Sequence, residues 1–517
     1  MFPLVEAAFL EEGEYFHSPM VLSCYRRDSQ KRPFRFFNMW TKSDKFLPLV
    51  RLNRGKAVEG CHMFRVIQRL KWIKFDLKNL NKEGFNSVEA EDLRLFHAFT
   101  EAQTKLHSNP HDSDLATEEK QANLAYKNAH AAYLSYLQQI AKINWLEHGD
   151  ENTRAFHQSI KQRRKHNKIH SIFIMDGDWV QSADEVQQAF IGFYSSLFGG
   201  SIQHKAPVNT IIMDQGVILV ESHKSILECP ITMNDVKKAL FSIPDNKAPG
   251  YGWPIAYCSV IYKCISKILC EKTGSVLPDI ISQNQGAFVK GRSILHNVLI
   301  CQDIVKMYKK HQKGPCCLMK LDLKKAYDTV EWGFIEELMV DLGFPSHFVE
   351  LIMTCLTTTR YSILINSVPI DLIQPRRGLR QGDPLSPLLF TLCMEYFSRA
   401  MKLVDDLLMF CKGDKKTVKL MLSAFNLFST TFSLQINPSK SSIYCCGGTD
   451  SLRDELVAVS RSGKGDLPFR YLRVPISTKK LNASDCELLV EKWWPRSRCG
   501  VPDIFPLLTG LNSSILC

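Results

Sequence analysis

Two aspartates stand side by side at Asp405 and Asp406 in "LVDDLLMFCKGD", residues 403 to 414. A folded chain places adjacent carboxylates between apolar residues only where something compensates them, and a metal ion is the first candidate. A third carboxylate, Asp322, lies in "PCCLMKLDLKKAYDTVEW", residues 315 to 332. The apolar run before it predicts a short strand that delivers Asp322 at its C-terminal end. A helix over "TVEWGFIEELMVDLGF" should follow, capped by Asp328 and stopped at Gly343. A carboxylate beside a buried sheet costs free energy unless it is paired or binds a cation. For Asp322 alone, a cap or a salt bridge is the ordinary reading.

The next chemistry-bearing stretch is "RRGLRQGDPLSPLLFTLCMEYFSRAMK", residues 376 to 402. Gly382 permits close backbone approach, Asp383 is a good N-cap, and Pro384 fits a first helical turn. Leu385, Leu388, Leu389, Leu392 and Tyr396 then form an apolar stripe of helical period, which is ordinary core. That stripe leaves Arg377, Arg380 and Gln381 unexplained. They precede a bare glycine and a helix N-terminus, an arrangement suited to phosphates and base edges. Upstream, Lys161, Arg163, Arg164, Lys165 and Lys168 crowd into eight residues. A solvated helix face and a phosphate-binding face account for that run equally well.

The elements that must position these residues belong to a chain of 517 residues, long enough for two or three domains with cores of their own. Hydrophobic residues make up 45% and charged residues 23%, a globular composition that excludes a disordered or fibrous chain. The net charge of +12 suits a polyanionic partner. Seventeen cysteines occur without a CxxC pair, which speaks for thiols in a reducing compartment rather than a zinc site. No apolar run reaches the ~18 residues of a membrane span, and the N-terminus lacks a basic leader. A soluble intracellular protein, nuclear or cytoplasmic, without a membrane partner, is expected. From about Val88 to Leu146 the pattern is helical with a break at 107–114, and a strand pair turning at Asp176-Gly177 comes after it.

Taken together, "LDLKKAYD", "RGLRQGDPLSP" and "DDLLMF" resemble three successive palm motifs of the reverse transcriptases of plant LINE-type (non-LTR) retrotransposons. "NKAPG" (246 to 250), "QGAFVKGRSI" (285 to 294), "LQINPSKS" (434 to 441) and "YLRVPISTKKL" (471 to 481) resemble further family segments in the family's order. The resemblance covers about Arg32 to Glu491. It implies an α/β right-hand polymerase palm with partial fingers, preceded by a mostly helical region. The domains it implies are an endonuclease remnant at 1–31, a helical linker region at 32–230, the reverse transcriptase domain at 231–476, and a tail at 477–517.

The resemblance also implies two Mg²⁺ ions held by Asp322, Asp405 and Asp406. Tyr327 would be the aromatic residue under the incoming sugar, with Arg380, Gln381 and Gly382 along the template and nucleotide side and Lys440 behind the triphosphate. Arg163, Arg164, Lys165 and Arg292 would contact nucleic acid. The partners would be an RNA template, a DNA primer and deoxynucleoside triphosphates.

Departures from the family pattern imply a degenerate, truncated copy. "NKAPGYG" runs straight into "WPIAYCSVIYK" without the family's lysine stretch, and Trp253 stands at an arginine's place. Arg473 replaces a hairpin glycine, and "VPDIFPLLTG" (501 to 510) reads as a frameshifted tail. Only Leu403 and Val404 separate the expected helix end at Lys402 from Asp405, so the first arm of the family's Asp-Asp hairpin is deleted. A helix from Pro384 to Lys402 is about 28 Å long, whereas a two-residue link reaches about 7 Å. Asp405 is therefore expected more than ~6 Å from Asp322, too far to share metals about 4 Å apart, unless the last helical turns unwind. Two function classes follow: a polymerase impaired by deletion, and an inactive nucleic-acid-binding remnant.

Overall fold

The computed structural model describes residues 34–141 apart from 86, 169–200 apart from 175 and 176, 207–243, 260–307 and 315–402 apart from 367. It further describes 410–476 apart from 433, 447, 448, 461, 466, 468, 472 and 473, with three short strands towards the chain ends. The fold is α/β and rich in helix, and the chain forms two compact units: residues 1–186 with 364–370, and 187–363 with 371–517.

The first unit holds an antiparallel strand pair, β1 (Val5–Phe9) and β2 (Met20–Cys24), and four helices: α1 (Phe46–Gly55), α2 (His62–Gly84), α3 (Val88–Ser108) and α4 (Ser113–Ala141). The break expected at 107–114 falls between α3 and α4. There the Asp112 carboxylate accepts the N–H groups of Asp114 and Leu115 at 2.8 and 3.2 Å and starts the next helix. Met39, Trp40, Leu77, Leu80 and Ala132 form this unit's small core. The strand pair β3 (Ile172–Phe173) and β4 (Trp179–Val180) turns beside Gly177, whose φ of 90° only glycine adopts readily.

The second unit is built on β5 (Cys316–Lys324). Ahead of β5 come α5 (Ala183–Gly199), α6 (Thr210–Met213), α7 (Glu221–Glu228), α8 (Met233–Phe241), α9 (Val260–Ile280) and α10 (Ile294–Met307). After it come α11 (Trp332–Asp341), α12 (Ser346–Thr357), the paired strands β6 (Tyr361–Ile365) and β7 (Val368–Ile373), of which residues 364–370 belong to the first unit, and α13 (Ser386–Lys402). Then follow β8 (Phe410–Lys412), α14 (Lys415–Phe432), β9 (Gln435–Ile436), β10 (Ser442–Cys446), α15 (Asp450–Ser460) and β11 (Gly463–Lys464), with the pair β12 (Phe469–Tyr471) and β13 (Val474–Ile476). β10 lies antiparallel to β5 along one edge with Tyr444 opposite Leu318, and β11 runs parallel to β10. β8 pairs antiparallel along the other edge, with Phe410 opposite Leu318. Farther along β5, β9 pairs with Leu323 and Lys324, and β14 (Ser514–Ile515) with Leu321 and Asp322.

Two expectations about local structure change. Asp328 does not cap the helix after β5: that helix starts at Trp332 with Glu331 as its N-cap, and Asp328 sits in the intervening turn with its N–H on the Lys325 carbonyl. Gly343 does stop it, at φ 82°. Likewise α13 is not a stripe facing one core. Beyond the expected apolar positions, Thr391, Cys393, Glu395, Phe397 and Arg399 are buried too, so α13 is a central helix packed on all sides.

Candidate active site

β5 carries Asp322 where the sequence leads one to expect it, two residues before the strand ends. Its neighbours Leu321 and Leu323 are buried on one face of the strand, and Asp322, on the other face, is only 5% exposed, so both faces are covered. The backbone around it is held by the turn between β9 and β10. The Asp322 N–H donates to Ser441 Oγ at 2.9 Å, and its carbonyl accepts the Asn437 N–H at 2.7 Å. Lys440 belongs to the same turn, its N–H on the Asn437 carbonyl at 3.2 Å and its side chain exposed. Burial pushes the Asp322 carboxyl above the ordinary aspartate range, against the opposing pull of the Lys440 and Lys320 ammonium groups and a hydrogen bond from Asn437. The chain's own cations leave that charge under-compensated, as suits a ligand for a hard cation. Asn437 and Ser441 were not singled out from the sequence, although "NPSKS" carries the turn-forming residues that signal such a wrap.

The turn after β5 joins the turn before α13. Tyr327 stacks on Phe390 of α13 with ring centroids 4.7 Å apart, and burial pushes its phenol upwards. Its carbonyl accepts the Leu379 N–H at 2.6 Å, while the Gly378 N–H reaches the Val330 carbonyl at 2.7 Å. Tyr327 and the loop carrying Arg380, Gln381 and Gly382 are thereby brought together. Gly382 is exposed at φ 90°, and Gln381 is half-buried.

Asp383 anchors that loop. Its carboxylate accepts the Tyr262 hydroxyl at 2.6 Å, the Ser266 hydroxyl, and the Leu385 N–H at 3.1 Å. Tyr262 and Ser266 are four residues apart on α9 and so share one face. Sequence reasoning missed them, although two hydroxyls at that spacing in an apolar helix are a legible signal. Arg380 is buried: its guanidinium donates to the Cys355 carbonyl at 2.5 Å and to the Thr359 hydroxyl, and lies 4.1 Å over the Tyr262 ring.

Other arginines are committed in the same way. Arg292 donates to four carbonyls at the end of α9, those of Pro278, Ile281, Ser282 and Gln285, at 2.6 to 3.0 Å. It supplies donors where a helix terminus lacks them. Arg377 donates to the Leu197 and Ser196 carbonyls at the end of α5, 2.7 and 3.3 Å away. Fully buried Arg399 of α13 pairs with Glu395 at 3.1 Å and donates to the Met213, Val217 and Ile280 carbonyls. Glu395 in turn accepts the Ser282 N–H at 2.7 Å and its hydroxyl at 2.8 Å.

Asp405, Asp406, Arg163, Arg164, Lys165 and the "NKAPG" stretch lie outside the described residues. Their flanks are informative nonetheless. α13 runs unbroken to Lys402, and β8 begins at Phe410 already paired to β5. Among the described residues no three His, Cys, Asp or Glu side chains come together to hold a metal, and no helix is long and apolar enough to cross a membrane.

The chain is 22% identical over 342 residues to the transposon TX1 uncharacterized 149 kDa protein of Xenopus laevis, covering 55% of this chain and 25% of that one. It is 27% identical over 175 residues to a retrovirus-related Pol polyprotein from a type-1 retrotransposable element R2 of Nasonia vitripennis, covering 34% and 17%. A 35-residue stretch is 63% identical to an uncharacterized mitochondrial protein of Arabidopsis thaliana, covering 7% of this chain and 29% of that protein. The chain thus spans under a third of the length of these curated relatives. Residues 216–476, just over half of the chain, match the family model for reverse transcriptase (RNA-dependent DNA polymerase), and the chain belongs to that family.

Proposed function

We propose that the chain is the polymerase part of a non-LTR retrotransposon, with a right-hand palm around β5, extending a DNA primer on an RNA template by nucleotidyl transfer that the hairpin deletion impairs. One observation carries this reading, the register of β8 on β5. β8 lies antiparallel on β5 with Phe410 opposite Leu318, so the strand that follows the Asp405-Asp406 pair in sequence is docked beside the strand that carries Asp322.

Asp322, with Asp405 and Asp406, would hold Mg²⁺, and its buried, under-compensated carboxylate fits that role. When bound, Mg²⁺ supplies Lewis-acid activation of the primer hydroxyl and charge neutralisation at the triphosphate. Tyr327 would pack under the incoming sugar and Lys440 would face the phosphates, while Arg380 supports the loop rather than reaching substrate. Titrating the chain with Mn²⁺ under electron paramagnetic resonance tests the metal assignment: Asp322→Asn should weaken binding at least tenfold, and unchanged binding would refute it.

A second reading, an inactive nucleic-acid-binding remnant, is favoured by β14. Ser514 lies opposite Asp322 on the edge of β5 away from β10, the edge along which β8 also pairs. A chain that binds primer and template but incorporates nothing, with or without residues 512–517, would establish this second reading.

A further inference from the structure

The outward ridge of α2 does not look like an ordinary solvated face. Ile73, half-buried, and Leu77 and Leu80, buried, turn one side of the helix into the core of the first unit. At 3.6 residues per turn the opposite ridge carries Phe64, Lys71, Phe75, Lys78 and Lys82, with Lys74 on its flank. All six are exposed, Phe75 to 64% and Phe64 to 46%. The helix is basic, with six Lys and Arg against two Asp and Glu from residue 62 to 84, and the stretch leading into it is basic as well, so that residues 42 to 82 carry eleven Lys and Arg against three Asp and Glu.

We propose that this ridge of α2 binds single-stranded nucleic acid, the lysines pairing with phosphates and Phe64 and Phe75 stacking on bases. The inference adds to the nucleic-acid reading a contact surface in the other compact unit, and takes from that reading only the class of partner. Interleaving is what selects the partner. A helix lying on a membrane separates its apolar face from its charged face, whereas a single strand presents phosphates and base faces in alternation and is met by cations and rings side by side. One aromatic–cation contact is already in place, with Lys74 Nζ 5.3 Å above the Phe34 ring.

The test uses the full chain and a fluorescently labelled single-stranded RNA, with anisotropy read across a salt series. Replacing Lys71, Lys74, Lys78 and Lys82 by glutamine should flatten the slope of log Kd against log salt by about 3, four contacts at ~0.7 each. Phe64→Ala with Phe75→Ala should weaken binding roughly tenfold per ring at every salt concentration and leave the slope alone. Circular dichroism confirms that the six exposed substitutions leave helix content intact. An unchanged slope in the lysine variant, or affinity lost only for anionic phosphatidylserine vesicles, would overturn the proposal. Asp322→Asn separates the two claims, because it should abolish nucleotide incorporation and leave this salt signature unchanged.

Discussion

Replacing Asp383 by alanine should both destabilise the second unit and loosen the loop that carries Arg380, Gln381 and Gly382. The carboxylate is 3% exposed and accepts from the Tyr262 hydroxyl, the Ser266 hydroxyl and the Leu385 N–H. Removing it leaves two hydroxyls without their acceptor in a buried site, at roughly 1–3 kcal/mol each, and removes a helix-start bond of about 1 kcal/mol. These contributions overlap, so a loss of about 3–5 kcal/mol is expected. Tyr262→Phe deletes one bond and leaves the carboxylate its other partners, so about 1.5–2 kcal/mol is expected. Because the Tyr262 ring also underlies the Arg380 guanidinium, that contact should survive in the phenylalanine variant. Urea unfolding followed by tryptophan fluorescence, at matched protein concentration, measures both. A loss below 1 kcal/mol for Asp383→Ala, or equal losses for the two variants, would refute the claim that Asp383 is the anchor.

Three further outcomes follow from the same structure. Arg399→Met should cost about 3–5 kcal/mol in urea unfolding, because it strands the buried Glu395 carboxylate, and combining it with Glu395→Leu should recover only part of that loss, because the Met213, Val217 and Ile280 carbonyls and the Ser282 N–H still lose these partners. Gly216→Ala should destabilise in the same assay, since an added Cβ would collide with the Arg399 guanidinium. Burial raises the Asp328 carboxyl from 3.8 to about 6 against the pull of Lys325. The folded chain therefore holds that proton where the unfolded chain has released it, and stability falls as pH rises from about 4 to about 6. Asp328→Asn should flatten that window and gain up to about 3 kcal/mol at pH 7, read from denaturation midpoints across pH.

Local pattern made much of the site legible before any coordinates. The apolar run before Asp322 reads as a buried strand and is one, and the break between α3 and α4 falls on its turn residues, whereas α13 starts at Ser386, two residues beyond the Pro384 expected in its first turn, with Asp383 holding the Leu385 N–H ahead of it. The duties of the arginines were not legible. Arg292, Arg377 and Arg380 are equally basic whether they meet phosphates or the chain's own carbonyls, and only tertiary contacts show that all three donate to backbone carbonyls. Asp328 failed as a cap because the helix begins at Trp332, one turn later than its pattern allows. α13 stays whole to Lys402 and β8 pairs with β5 after it, while Asp405, whose separation from Asp322 the short link was expected to set, lies outside the described residues.

Primer extension on a poly(rA) template with oligo(dT) and Mg²⁺ tests the central claim most directly, comparing the intact chain with Asp322→Asn under conditions where both bind primer and template. The account predicts slow, Mg²⁺-dependent incorporation of thymidylate by the intact chain and none by the variant. Incorporation that survives Asp322→Asn, or none by an intact chain shown to bind the duplex, would contradict it.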